Sequence, residues 1–109
     1  MPKLIEDNET FYEHVGQCAR LFPAMTARGA ARKLKEEARE LLLADAVGDG
    51  SNLEELADVM ICLLSYMHRA DISRESLERA IKFKLAKTNL RTFELQPNGT
   101  YHHVKKGAR

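Results

Sequence analysis

Two long helix-forming stretches, residues 26–47 and 51–70, are separated only by Gly48-Asp49-Gly50. Glycine ends helices readily because it adopts the left-handed backbone conformation, so this tripeptide predicts a tight turn. A turn this short joins two helices as an antiparallel hairpin. The central part of the chain is therefore expected to fold as a pair of facing helices.

Further elements are predicted on both sides of this hairpin. Apolar residues recur at helical spacing over residues 10–22 and end at Pro23, and a second stretch, residues 73–87, begins with an acidic first turn. A Pro-Asn-Gly turn between two short apolar runs predicts a β-hairpin over residues 91–105, with an irregular packed tail as the alternative. The predicted fold class is all-α: a bundle of four helices with a short C-terminal β-hairpin.

Size and charge narrow the class of protein. At 109 residues the chain is expected to form one domain, 1–109, with a helical core over about 8–88 and an extension over about 89–109. The net charge of +1 gives no case for a nucleic-acid partner. The longest uncharged apolar segment, residues 59–67, is too short to span a bilayer, so no membrane partner is expected.

The cysteines and the termini favour a cytoplasmic protein. Cys18 and Cys62 lie in apolar helical stretches and are expected to be reduced, buried thiols. The N-terminal residues contain no apolar stretch typical of a signal peptide. The basic C-terminal residues, Lys105, Lys106 and Arg109, are interpreted as a solvated terminus.

Acidic residues flank the central turn on both sides. EEARE precedes it, with Glu37 and Glu40, and ELAD follows it, with Glu55 and Asp58. Acids three residues apart share a helix face. Glu40 and Asp58 each lie on the order of 11 Å from the turn, so the hairpin is expected to place them level, with Glu37 and Glu55 within about one helical turn. Carboxylates that converge in this way repel one another unless a cation, such as Mg²⁺, neutralises them.

The acids also have a non-functional interpretation. Lys33, Lys35 and Arg39 are close enough along the helix to pair with them on a solvated face. A di-iron site of the ferritin type requires Glu-x-x-His pairs, and the chain has none.

Helical periodicity gives the orientation of these residues. At about 100° per residue, Leu34, Ala38 and Leu41 form an apolar stripe, with Glu37 and Glu40 at its border. The helix that follows Asp58 is uncharged on every face for several turns. Such a helix must be buried on all sides, which four short helices cannot achieve alone, so a homo-oligomer is expected.

The order EExxE, spacer, ExxD resembles the signature of the MazG-like, all-α nucleoside triphosphate pyrophosphatase superfamily. Here fourteen residues separate the two parts, and an apolar helix segment follows, so that the resemblance covers about residues 31–89. It implies a Mg²⁺-dependent enzyme, with Mn²⁺ as the alternative, that hydrolyses an NTP or dNTP between its α- and β-phosphates. It also implies a homodimer or homotetramer of helical bundles.

The resemblance assigns roles to individual residues. The implied metal ligands are Glu37, Glu40, Glu55 and Asp58. The catalytic candidates are Glu36 and Glu37, and Glu36 is either a further ligand or the base that orients the attacking water. The candidates for substrate binding are Lys33, Lys84, Lys87, Asn89 and Arg91, for which a solvated basic face is the alternative.

Other interpretations stay open at this point. A non-catalytic helical dimerisation module would carry the same acids on a solvated face. Within the superfamily, phosphoribosyl-ATP pyrophosphohydrolase has the same chemistry on another substrate. Tyr101 is either a residue that stacks on a base or part of the core. The leading hypothesis is a pyrophosphohydrolase that removes unwanted nucleotides from the pool.

Overall fold

The computed structural model describes Gln17 and residues 20–104, and these residues form three helices and one β-hairpin. The elements in chain order are α1 (Ala27–Val47), α2 (Asn52–Arg69), α3 (Arg74–Asn89), β1 (Thr92–Leu95) and β2 (Tyr101–Val104). A mostly helical fold with a short C-terminal hairpin is thereby confirmed.

The chain divides into two compact units, of which the first ends at Ser73 and the second begins at Arg74. Of the predicted helix 10–22, Gln17, Arg20 and Leu21 are helical, and most of the others lie outside the described residues. The four-helix bundle and the single domain therefore stay predictions.

Helix α1 has well-defined ends. At its start, the Oγ1 atom of Thr26 accepts a hydrogen bond from the Gly29 N–H at 3.0 Å. At its end, Gly48 has a φ of 71° and its N–H donates to the Ala44 carbonyl at 3.0 Å. This left-handed conformation favours glycine, which explains why the helix stops there. The predicted helix over 26–47 and the glycine turn are confirmed.

Ser51 and Glu54 have the three-residue spacing that predicts a capping box at the start of α2, but this prediction is wrong. Ser51 has φ −74° and ψ −7°, and its side chain makes no capping hydrogen bond. Instead, its N–H and its hydroxyl both donate to Asp49 Oδ1, at 3.0 and 2.6 Å. These two bonds lower the pKa of the Asp49 carboxyl. Because the hydroxyl is engaged within the turn, the start of α2 relies on its acidic first turn instead.

The first unit packs α2 back against α1. Among its described residues, the buried apolar ones are Ala30 and Ala44 from α1 and Cys62 and Leu64 from α2. The two alanines allow the helices to approach closely, because a methyl side chain takes up little space between the two backbones. The Cys62 thiol is buried, as predicted; Cys18 lies outside the described residues.

In the second unit, β1 and β2 pair antiparallel with Phe93 opposite His103, and the two rings lie 5.8 Å apart. The turn between the strands contains Gly99 at a φ of 86°, as the Pro-Asn-Gly sequence predicts. Tyr101 is 64% exposed, which argues against the interpretation that it is a core residue.

Among the described residues, no helix has the length and apolar character needed to cross a membrane.

Candidate active site

Three carboxylates from the two packed helices meet in the first unit. Glu37 of α1 and Glu55 and Asp58 of α2 each bring one carboxylate oxygen within 4.8 Å of the others. Glu37 is buried, with 8% of its surface exposed, and the other two are half-buried. The helical hairpin thus concentrates three acidic groups at one partly dry place. We refer to these three residues as the acid cluster.

The position of Glu37 follows from the packing of α1. The three buried residues of this helix, Ala30, Glu37 and Ala44, recur every seven positions and lie within roughly 40° of one another around the axis. The contact face is therefore centred on Glu37, and the predicted stripe through Leu34 and Leu41 lies beside it. Glu37 occupies a core position between two small residues that bring the helices together.

On α2, the side chains that face α1 also lie in one row along the helix. Glu55 and Asp58 lie three residues apart, and the buried residues Cys62 and Ser65 continue the row at helical spacing. One face of α2 is therefore acidic in its first turns and small and weakly polar further on. This order places the acid cluster beside a region with room for another molecule.

The acid cluster is electrostatically unsatisfied. Within the described part of the chain, the buried atoms Glu37 Oε2 and Glu55 Oε2 have no hydrogen-bond partner. Burial raises the pKa of Glu37, and so do the charge of Glu40, a hydrogen bond with the Glu40 carboxyl and the charge of Asp58. Buried acceptors are costly when they lack a partner. An all-oxygen set with free lone pairs fits a hard divalent cation.

Lys33 supplies positive charge at the edge of the cluster. Its Nζ atom lies 3.0 Å from Glu36 Oε2 and 3.5 Å from Glu37 Oε1. The hydrogen bond with Glu36 is the main reason that the pKa of Lys33 is raised. One ammonium shared between two carboxylates leaves the acid cluster with an excess of negative charge. Glu36 itself is exposed and lies outside the cluster.

The hairpin was predicted to place Glu40 level with Asp58, but Glu40 is not among the three carboxylates that meet. The acid cluster contains Glu37 instead, and Glu40 is an exposed neighbour that contacts it. The prediction compared only heights along the hairpin. Glu40 lies roughly 60° further around the helix from the apolar stripe than Glu37, so its side chain faces α2 less directly. Its role as a metal ligand stays a prediction.

A cavity of about 220 Å³ opens beside the acid cluster. Its lining combines charged and apolar side chains: Phe22, Met25, Lys33, Glu37, Asp58, Ile61, Cys62 and Ser65. Charged groups and apolar walls in one cavity suit a ligand that has an anionic part and an apolar part. The sequence pattern assigned neither the apolar residues nor Ser65 to a site. For Cys62 and Ser65, their place on the helix face of Asp58 was the available signal.

The downstream candidates lie in the second unit. Lys84, Lys87 and Asn89 are on α3, and Arg91 follows it; all four are exposed. The Nζ atom of Lys87 lies 5.2 Å from the centre of the Phe83 ring, a cation–π distance. Their role in substrate binding stays a prediction.

Comparisons with known proteins agree with this chemistry. The family model for dATP/dGTP pyrophosphohydrolases matches residues 11–109. Among solved structures, the chain is similar to a MazG-like pyrophosphohydrolase of cyanophage S-2L, with a TM-score of 0.68 and 25% identity over 94% of this chain and 100% of that one. That protein was solved with dGDP and three catalytic Mn²⁺ ions per active site. No curated protein matches significantly.

The family match extends over nearly the whole chain and includes every residue of the acid cluster and the cavity lining. The similar solved structure has the same helical architecture and carries the activity that the acid signature implies. The chain therefore belongs to the dATP/dGTP pyrophosphohydrolase family, within the MazG-like nucleoside triphosphate pyrophosphatases, which are hydrolases of phosphoric anhydrides.

Proposed function

We propose that this enzyme hydrolyses dATP or dGTP to the deoxynucleoside monophosphate and pyrophosphate, with divalent cations held by Glu37, Glu55 and Asp58. The observation that carries the proposal is the pair of buried carboxylate oxygens in the acid cluster for which the described part of the chain offers no hydrogen-bond partner. The family description supports the choice of substrate. Mg²⁺ is the proposed cation because it binds oxygen ligands and keeps waters that a phosphate can replace; Mn²⁺ is expected to substitute.

Each acidic residue has a proposed part in the reaction. When bound, the cations supply positive charge that offsets the phosphates and lowers the pKa of the attacking water. Glu40, beside Glu37, is a fourth ligand in this proposal. Glu36 is a further ligand or the base that orients the water, with Lys33 fixing its carboxylate at 3.0 Å.

The cavity beside the acid cluster is the proposed place of the nucleoside. Phe22, Met25 and Ile61 provide apolar walls against which a base and sugar can pack, while Asp58 and Glu37 lie at the same cavity. This arrangement would direct the triphosphate towards the acids. The basic residues at the end of α3 are proposed to bind phosphate as well.

The enzyme is proposed to act as a homodimer or homotetramer. Large apolar side chains of the first unit are exposed in a single chain: Leu42 by 70%, Leu43 by 60% and Leu53 by 75%. On α2, Ile61 and Leu63 are each 43% exposed although they belong to the uncharged segment. Leu42 and Leu53 line the same surface cavity, and exposed apolar surface of this kind is typical of a face that binds another protein. A second copy of the chain would cover it.

A substrate panel tests the proposed reaction. Purified protein is incubated with dATP, dGTP, the other dNTPs, the four NTPs and phosphoribosyl-ATP in Mg²⁺ or Mn²⁺, and the products are separated. The expected result is a deoxynucleoside monophosphate plus pyrophosphate, with a preference for the purine deoxynucleotides. Orthophosphate with a diphosphate would contradict the proposed bond. Preference for phosphoribosyl-ATP would indicate the other branch of the superfamily, and no turnover would favour a dimerisation module.

The cellular role and location follow from this activity as proposals. Hydrolysis of a dNTP lowers its concentration and is irreversible once pyrophosphate is consumed, which suits removal of unwanted nucleotides from a cytoplasmic pool. The role is tested by comparing the nucleotide pools of a host cell with and without the active protein. The location is tested by fractionating that cell.

A further inference from the structure

Arg69, the last residue of α2, binds three groups at the cavity. Its Nε donates to Ser65 Oγ at 3.0 Å, its Nη1 to the Met25 carbonyl, and its Nη2 to the Phe22 carbonyl at 2.7 Å. Ser65, Met25 and Phe22 all line the cavity. A single guanidinium therefore ties the α2 side of the cavity to the segment that precedes α1.

Within the part of the chain that the structure describes, that segment has few other restraints. Residues 22–25 form a turn in which the Met25 N–H donates to the Phe22 carbonyl at 3.1 Å. Phe22 is 54% exposed, so burial of its ring does not hold it in place. The carbonyls that Arg69 binds are 44 and 47 residues away along the chain. These long-range bonds fix where the turn lies relative to α2.

We infer that Arg69 is a positioning residue for substrate binding: it holds the Phe22–Met25 wall of the cavity at the width that the nucleoside needs. This inference rests on the proposed function, in which the cavity receives the nucleoside part of a dNTP. Arg69 touches neither the acid cluster nor the reacting phosphates in this scheme. Its effect is on the binding of the nucleoside and not on the chemical step.

Only arginine matches the three acceptors. A guanidinium is planar and points its N–H groups in fixed, divergent directions, whereas a lysine ammonium acts as one compact point charge. Arg69→Lys keeps the charge but is expected to lose the bond to Phe22 or Met25. Arg69→Ala loses all three bonds. Both variants should loosen the wall, and Arg69→Ala more so.

Kinetics separate positioning from a general structural effect. For both Arg69 variants, we expect KM for the preferred dNTP to rise about tenfold, the scale of losing hydrogen bonds to a charged group, with kcat within about twofold. Inhibition by the deoxynucleoside monophosphate product should weaken in parallel. Inhibition by pyrophosphate, measured with excess Mg²⁺, should not change because pyrophosphate lacks the nucleoside. The matched control is Arg79→Ala, which removes an exposed arginine bonded to Ser76 at 3.5 Å on α3.

A second measurement does not depend on turnover. Cys62 lines the same cavity, so the Phe22–Met25 wall limits access to its thiol. The measurement is made in a Cys18→Ser background, so that iodoacetamide alkylates only Cys62. The alkylation rate should increase about tenfold in Arg69→Lys and Arg69→Ala, because the wall becomes mobile and exposes the thiol more often. It should stay constant in Arg79→Ala. Thermal unfolding and circular dichroism establish whether each variant is folded. If Arg69→Ala does not fold, Arg69→Lys alone is used for the comparison.

The two experiments fail in different ways. If the wild-type protein turns over no nucleotide, the proposed function fails, and the alkylation rates still decide whether Arg69 holds the wall. If folded Arg69→Lys shows an unchanged alkylation rate, the inference is wrong. It is also wrong if pyrophosphate inhibition weakens as much as inhibition by the monophosphate, since the effect then reaches the acid cluster.

Discussion

Glu37 of α1 and Asp58 of α2 bring carboxylate oxygens within 4.8 Å of each other across the helical hairpin, and an oxygen of Glu55 lies within 4.8 Å of both. The approach of these acids depends on Ala30 and Ala44, which let the two helices pack closely on either side of Glu37. Close packing and charge repulsion are therefore in direct opposition at this point of the fold. A divalent cation bound by these carboxylates would remove the repulsion.

Asp58→Asn should abolish hydrolysis without unfolding the protein. The amide keeps the shape of the side chain but removes a charge that the cation requires, so kcat/KM should fall by more than the roughly 10–100-fold that loss of an outer ligand partner costs. Steady-state kinetics in Mg²⁺ and Mn²⁺ measure the loss, with circular dichroism as the test of folding. The matched control is Glu54→Gln, an exposed acid on the same helix. Full activity in Asp58→Asn would exclude this residue as a ligand.

Removing a charge from the acid cluster should stabilise the metal-free protein. Glu55→Gln relieves repulsion with Glu37 and Asp58, so Tm in EDTA should rise by about 4–8 °C if the relief is about 1 kcal/mol. In the wild type, Mn²⁺ at 100 times its Kd should add about 2.7 kcal/mol of stability, and Glu55→Gln should lose most of this gain. Differential scanning calorimetry of the wild type and of Glu55→Gln, each in EDTA and in Mn²⁺, gives the four Tm values. A lower Tm for Glu55→Gln in EDTA would mean that the cluster is not repulsive.

Stability in the absence of metal should depend on pH through Glu37. Burial raises the pKa of this carboxyl above its ordinary value of 4.5, so the folded protein holds the proton more tightly than the unfolded chain. The stabilising effect of this proton is complete below pH 4.5 and is lost as the pH rises through the folded-state pKa. Glu37→Gln lacks this dependence. In EDTA, the Tm of Glu37→Gln minus that of the wild type should therefore increase from about pH 4 towards neutrality.

The subtraction removes the pH dependence that both proteins have in common. A constant difference in Tm across this pH range would show that the folded-state pKa of Glu37 is not raised. With Mn²⁺ present, the wild-type protein should show the opposite trend, since the cation binds the deprotonated cluster and its affinity increases with pH.

Local signals in the sequence predicted the elements well. The Thr26 cap and the left-handed Gly48 depend on neighbouring residues alone, and both define α1 as predicted. Ser51 shows the limit of such signals. Its hydroxyl could either cap α2 or donate to Asp49 within the turn, and the bond to Asp49 is the one that forms. Helix α2 nevertheless begins at Asn52, because its acidic first turn and the preceding glycine turn both favour a helix start there.

The site was only partly predictable. The acidic signature identified Glu37, Glu55 and Asp58, but the rotation of α1 about its axis depends on Ala30 and Ala44, which a hydrophobicity pattern ranks below the neighbouring leucines. The part of the cavity wall that precedes α1, formed by Phe22 and Met25, was not predictable from local pattern. Phe22 and Met25 reach the site through bonds to Arg69 that span more than forty residues.

Gly48 provides a test of the turn that is independent of the chemistry. A Cβ atom built at Gly48 would meet no described atom within 4 Å, so a substitution acts only through the backbone φ of 71°. Gly48→Ala should lower the free energy of unfolding by about 1–2 kcal/mol, the cost of a left-handed L-residue, and Gly48→Asn by less because asparagine tolerates this conformation. Urea unfolding measures both. Since the acid cluster lies further along the helices, kcat should stay unchanged at temperatures where the variants are folded, and equal stability of the Ala and Asn variants would contradict the left-handed turn.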